Sequence, residues 1–239
     1  MDANIDACQL AQLKARFDQI TGQKSCFEEE RGILKEQEYL LDLVIDAFFA
    51  CHPNISTTLS ICYGTSKFIY RLVASKLDLQ ISLIDIRGIL LETLNNQVEL
   101  INTGNPVNHP SDLINAIAKR RPVEAIILES TMNYLPDSKE RKLILRKLYT
   151  SIIPGGSLWI TNVLSINGAQ CQPQNARALY LNHISHLRVE RHKAGVNEWP
   201  YTELNTNLFQ LFSDIKEAGF QRIELLYKRL EAIAIVAFK

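Results

Sequence analysis

The sequence has no excess of charge. Lysine plus arginine and aspartate plus glutamate number 26 each, so the net charge is zero at neutral pH. A balanced chain lacks the broad positive field that draws nucleic acid or anionic lipid, and only short basic clusters remain to be weighed. Paired cysteines are missing too. Cys8, Cys26, Cys51, Cys62 and Cys171 are far apart, odd in number and never in C-x-x-C spacing. That argues against a zinc ribbon or disulfide framework and fits reduced thiols in the cytoplasm. The opening residues MDANIDACQL hold two acids and no basic stretch, so a secretory signal is not expected. The most apolar early run, YLLDLVIDAFFA, is broken by Asp42 and Asp46 and is too short to span a bilayer. There is no internal repeat, no low-complexity tract and no G-x-G-x-x-G. What remains is a chain long enough for one domain with a full core.

The pattern along that chain changes once. Residues from about Asp6 to His52 read as helical, with a break at ITGQKS. Ile33, Leu34, Leu40, Leu41, Val44, Ile45, Phe48 and Phe49 recur at helical spacing over the second half. From Thr58 short apolar runs alternate with helical segments: TTLSIC, SKFIYRLVASK, ISLID, GILLETLN, VELIN, SDLINAIAKR, VEAIILE and DSKERKLILRKLYTSI. Asp137 and Glu140 fit a capping box for the last of these. A Pro154–Gly156 turn then leads into the strand SLWITNV. This alternation predicts a mainly parallel sheet covered on both faces. The final runs, RIELLY and EAIAIVAF, are joined by only a few residues, too few for a crossover helix, so they are expected to pair as an antiparallel hairpin.

LSICYGTSKF, TTLSIC's own exit, is a buried strand entering a tight turn and a helix. Together with ISLIDI, the long stretch VEAIILESTMNYLPDSKERKLILRKLYTSIIPGGSLWI and the segment LFSDIKEAGFQRIELL, it resembles the class I S-adenosylmethionine-dependent methyltransferases. The resemblance runs from about Thr58 to the last residue. It implies a Rossmann-like α/β fold, with a mostly parallel seven-stranded sheet, a terminal antiparallel hairpin and N-terminal helices. The expected organisation is an N-terminal helical cap over 1–56 and a methyltransferase domain over 57–239. Residues 164–206 form a lid or substrate wall within it, and the whole is one structural unit. The resemblance implies S-adenosylmethionine as cofactor, a small-molecule acceptor, no nucleic acid or membrane partner, and a monomer or homodimer.

Residue by residue, it carries cofactor contacts onto Cys62, Tyr63, Gly64, Ser66, Asp85, Ile86, Asn105, Glu129 and Ser130. Asp85 ends the second strand, where a carboxylate accepts hydrogen bonds from a ribose diol. Gly64 lets backbone approach a ligand closely. The chain departs from the family at Ser60, where an acid is usual, and at Cys62 and Ser66, where glycines are usual. Acceptor contacts fall on Thr131, Asn133, Tyr134, Tyr180 and His186.

Methyl transfer from a sulfonium is an in-line displacement driven by alignment and exclusion of water. A base is needed only to remove the acceptor's proton, and Glu129 and His183 are the candidates. Glu129 stands equally well as a cap on the next turn. His183 and His186 make an H-x-x-H without a third ligand, so no metal is expected. The clusters AKRRP and RVERHK suit solvated helix ends. Two functional classes stay open: a small-molecule methyltransferase, and a methyltransferase-like protein that transfers nothing, as an inactive partner or with its pocket reused. A nicotinamide oxidoreductase is a distant third.

Overall fold

The computed structural model describes residues 31–62, 67–76, 78–86, 98–101, 107, 109–129, 131–132, 138–163, 208–229 and 232–239. Helix α1 (Arg31–Cys51) leads into strand β1 (Thr57–Cys62), helix α2 (Lys67–Ser75), β2 (Gln80–Asp85) and β3 (Val98–Leu100). Then come α3 (Pro110–Ala118), β4 (Val123–Glu129), α4 (Ser138–Thr150) and β5 (Ile152–Val163). Helix α5 (Leu208–Glu217), β6 (Arg222–Arg229) and β7 (Ala232–Phe238) complete the order. One seven-stranded sheet runs β3-β2-β1-β4-β5-β7-β6. Its first five strands are parallel, and β7 lies antiparallel between β5 and β6. The alternation and the closing hairpin expected from sequence are both present.

Strands β1 and β4 read as nearly unbroken apolar or small runs because they are covered on both sides. On one face lie Val44, Ile45 and Phe48 of α1 with Phe68, Ile69 and Leu72 of α2. On the other lie Leu113 and Ile117 of α3, Ile144, Leu145 and Leu148 of α4, and Leu211 and Ile215 of α5. Phe48 is a hub of the first layer, its ring 5.2 Å from that of Trp159 and 6.3 Å from that of Phe68, edge-on to both.

The turn before strand five differs from expectation. Pro154–Gly156 lies inside β5, which begins at Ile152 and shifts register against β4 between Val123 and Ala125. Gly155 takes φ +80°, and Gly156 packs so closely on the Glu124 carbonyl that no side chain fits there. Gly219 closes α5 at φ +119°, beneath the Tyr149 ring. The expected helix GILLETLN, the cap Asp137, residues 1–30 of the helical cap and the 164–206 segment lie outside the described residues.

Polar groups in this core are held in three places. Arg141 and Asp214, each on an apolar helix stripe, form a buried pair between α4 and α5 at 2.7 Å, and Gln210 Nε2 donates to the same carboxylate. At the amino edge of the sheet, one Glu124 oxygen accepts from the backbone N–H and hydroxyl of both Ser56 and Thr57. Partial burial raises the Glu124 pKa, and these four bonds more than reverse that, leaving it below the ordinary value.

The third place joins α1 to the sheet. Trp159 Nε1–H donates to Ser157 Oγ at 2.6 Å, and Ser157 Oγ lies 2.6 Å from His52 Nε2. Ser157 Oγ accepts from the indole and exchanges a further hydrogen bond with the imidazole, whose direction is set by the histidine tautomer. Burial holds the His52 pKa below its ordinary value, and the Glu124 charge opposes this only in part. A depressed histidine pKa means that the unfolded chain binds the proton more readily. The stability from neutral His52 is therefore complete above about pH 6.5 and is lost as the pH falls through the lower folded value. In a Trp199→Phe background, Trp159 fluorescence is expected to be quenched on acidification with a midpoint below 6.5. The His52→Gln variant should show no such transition; a transition that persists in it would place the titrating group elsewhere.

Candidate functional site

Strand order reverses at β1. Strands β2 and β3 continue to one side of it, β4 and β5 to the other. The chain leaving β1 enters α2 on one face of the sheet, and the chain leaving β4 enters α4 on the opposite face. The two exits leave toward opposite faces, and it is beyond the carboxyl ends of strands at such a reversal point that open α/β sheets bind ligands in a crevice.

Register fixes what lines its edge. Cys62 pairs with Asp85 on one side and Glu129 on the other, and Glu129 pairs with Thr161. These four residues form one row across the sheet, on the face covered by α1 and α2, as the alternation from Leu83, Ile127 and Trp159 requires. Cys62 is buried, and burial first, then the charges of Asp85 and Glu129, push its thiol well above the ordinary range. The thiol is therefore a poor nucleophile.

Past the last pair, three further bonds hold the strand ends. Ile86 N–H donates to the Cys62 carbonyl at 2.9 Å, and Val107 N–H donates to the Ile86 carbonyl at 2.8 Å. The Thr131 hydroxyl lies 2.8 Å from the Ile61 carbonyl and 3.1 Å from that of Glu129. Just after Val107, α3 opens at His109, whose Nδ1 accepts from Ser111 N–H while Asp112 accepts from His109 N–H.

The structure thus brings together Cys62, Asp85, Ile86, Glu129 and Thr131 from the residues expected at the site. Asp85 is completely buried, at 0% exposure, and Glu129 is half-buried. Thr131 is also at 0%, with its hydroxyl turned to backbone carbonyls, so its contact is with the fold. Tyr63, Gly64, Ser66, Asn105, Ser130, Asn133, Tyr134, Tyr180, His183 and His186 lie outside the described residues.

Two features had no sequence expectation. Thr161 joins the row, a position set only by the β4–β5 register. The hydroxyls of Thr58 and Ser60, on the same face of β1 as Cys62, are buried without a hydrogen-bond partner. The small polar alternation of TTLSIC was the available signal for them. Among the described residues no group of histidine, cysteine and acidic side chains could hold a metal ion.

Solved structures share this architecture. An O-methyltransferase family protein from Burkholderia thailandensis superposes with a TM-score of 0.60 at 14% identity, over 95% of this chain and 62% of its own. Human N-acetylserotonin methyltransferase, solved with S-adenosylmethionine, gives 0.55 at 14% identity over 97% and 66%. The S-adenosylmethionine-dependent methyltransferase SibL gives 0.55 at 13% identity over 93% and 61%. The fold is that of the class I methyltransferases. The chain spans about three fifths of the length of those three proteins. No family model and no curated protein matches the sequence. In this methyltransferase fold the row Asp85–Cys62–Glu129 occupies the reversal point of the sheet, with α2 beginning beside it. No described helix is long and apolar enough to cross a membrane.

Proposed function

We propose that the chain is an S-adenosylmethionine-dependent methyltransferase acting on a small molecule. One observation carries the reading: an acid ends β2 and lies in register with the end of β1, at the point where strand order reverses. The chemistry of that edge fits the cofactor. An acid at the end of β2 suits a ribose diol, and a second carboxylate across Cys62 would favour a ligand that carries positive charge. Asp85 would hold the ribose hydroxyls, while Cys62, Ile86 and the turn at Tyr63, Gly64 and Ser66 would form the surrounding wall. Asn105 and Ser130 would complete the cofactor contacts.

The bound cofactor supplies an electrophilic methyl group. The chain's task is to align the acceptor with it and keep water out. Glu129, half-buried beside Cys62, would accept a proton or orient an acceptor amine or hydroxyl. His183 would serve the same purpose from the 164–206 wall, with Asn133, Tyr134, Tyr180 and His186 shaping the acceptor pocket. Neighbours of the same fold support a small acceptor: one from Planctomyces limnophilus was solved with apigenin. A cytoplasmic monomer or homodimer, with the helical cap and the 164–206 segment closing over the acceptor, completes the proposal.

A second reading has an observation of its own. Asp85 is fully buried, and Ser60 leaves a buried hydroxyl unpaired below the same edge. Ribose reaches the Asp85 carboxylate only by displacing chain that covers it, which favours weak binding or a pocket that transfers nothing. Calorimetry with S-adenosylmethionine and its demethylated product separates the two readings when combined with transfer of labelled methyl to a panel of small phenols and amines. Micromolar binding with transfer supports the enzyme. Binding without transfer to any of the panel supports the second reading. No binding up to millimolar cofactor removes the enzyme and leaves the inactive partner or reused pocket.

A further inference from the structure

We propose that Thr131 is a positioning residue whose hydroxyl sets the separation of the β1 and β4 ends at the crevice and so aligns Glu129 with the cofactor edge. The inference rests on the reading of that crevice as the cofactor site. Regular pairing of β1 with β4 stops at Cys62 and Glu129. Two residues further on, the β4 chain is already turning toward the face covered by α4, and Met132 is buried there. Here a side chain takes over from the backbone ladder. Thr131 Oγ1 reaches back 2.8 Å to the Ile61 carbonyl, inside β1, and lies 3.1 Å from the carbonyl of Glu129 itself. The bond is buried, so water offers the Ile61 carbonyl no ready substitute.

The opposite side of β1 is held by a backbone bond, from Ile86 N–H to the Cys62 carbonyl. The end of β1 is thus held on the β2 side by this backbone bond, and on the β4 side by a ladder that ends at Cys62 and Glu129, with the Thr131 hydroxyl as the next tie beyond it. Thr131 is the rung at the divergence of the two chain exits, where a small change in spacing moves Glu129 relative to Cys62 and Asp85.

Thr131→Val keeps the branched shape and deletes the donor, and Thr131→Ser restores it. Amide hydrogen exchange is measured at Cys62, Ile86 and Glu129, and at Thr58 and Ala125 toward the other end of the same strands. Cofactor affinity, kcat and KM are measured on the same variants. The expected result for Thr131→Val is faster exchange confined to the carboxyl ends, cofactor affinity lower on the order of tenfold, the weight of one hydrogen bond, and recovery of both in Thr131→Ser. Exchange that is unchanged, or faster equally at both ends of the strands, overturns the proposal, because the hydroxyl then acts on global stability or not at all. Unchanged affinity with faster exchange at the carboxyl ends also overturns it, since the strand ends would then not govern the site. Failure of the wild-type chain to bind cofactor is a separate result. It removes the methyltransferase reading, and local exchange alone then decides whether Thr131 spaces the strand ends.

Discussion

Asp85→Ala is expected to weaken S-adenosylmethionine binding about 100-fold. A hydrogen bond to a charged acceptor contributes about 1.5–3 kcal/mol, and a ribose diol offers two to one carboxylate. Water recovers part of the loss, so a net cost near 3 kcal/mol, or about two decades in Kd, is the physical expectation. Asp85→Asn keeps an acceptor oxygen and loses the charge, and should fall between wild type and alanine. The demethylated product carries the same ribose, so calorimetry should show the same loss for it. A larger loss for the sulfonium form alone would mean that Asp85 acts through charge and that the ribose lies elsewhere. Asp85 is buried, so melting temperature is followed in parallel. A fall in melting temperature with unchanged affinity would make the carboxylate part of the fold and not of the site.

The largest stability effect is expected at Arg141. Its guanidinium reaches Asp214 through Nε and Nη2, both at 2.7 Å, with both side chains buried between α4 and α5. Arg141→Met leaves the carboxylate with Gln210 and, at 3.7 Å, the Lys142 ammonium. An uncompensated buried charge costs about 3–5 kcal/mol, and the remaining partners put the expected loss near the lower figure. Urea unfolding measures it. The double variant Arg141→Met, Asp214→Leu should recover most of that loss, since an apolar pair of similar volume needs no desolvation of charge. If the double variant is as unstable as the single one, packing rather than ionisation is the function of the pair.

Much of the fold was legible in the residues. TTLSIC and VEAIILE are the strands Thr57–Cys62 and Val123–Glu129 because short runs of apolar and small residues suit strands buried on both faces. RIELLY and EAIAIVAF pair antiparallel because the link between them is too short for anything else. The turn at Pro154–Gly156 lies where it was expected, but the strand begins before it, at Ile152. The strand absorbs it through a register shift that depends on Gly156 meeting the Glu124 carbonyl, a contact between segments distant in sequence. Of the site, Asp85 and Glu129 could be picked out because each ends an apolar run. Thr131 was also picked out, as an acceptor contact, and the bond of its hydroxyl to the Ile61 carbonyl was not foreseen. Nothing in its neighbours specifies the direction of a threonine rotamer.

Local chemistry alone therefore determined which segments became strands and helices, that the sheet would be mostly parallel, and which acids would stand at strand ends. Those properties depend on periodicity and chain connectivity, which a sequence states directly. The tertiary structure decided the row Asp85–Cys62–Glu129–Thr161, the burial of Asp85, the Arg141–Asp214 pair and the His52–Ser157–Trp159 chain. Each is a matter of register or of packing between residues far apart in the chain, and a one-residue slip in any strand would have turned its side chains to the other face.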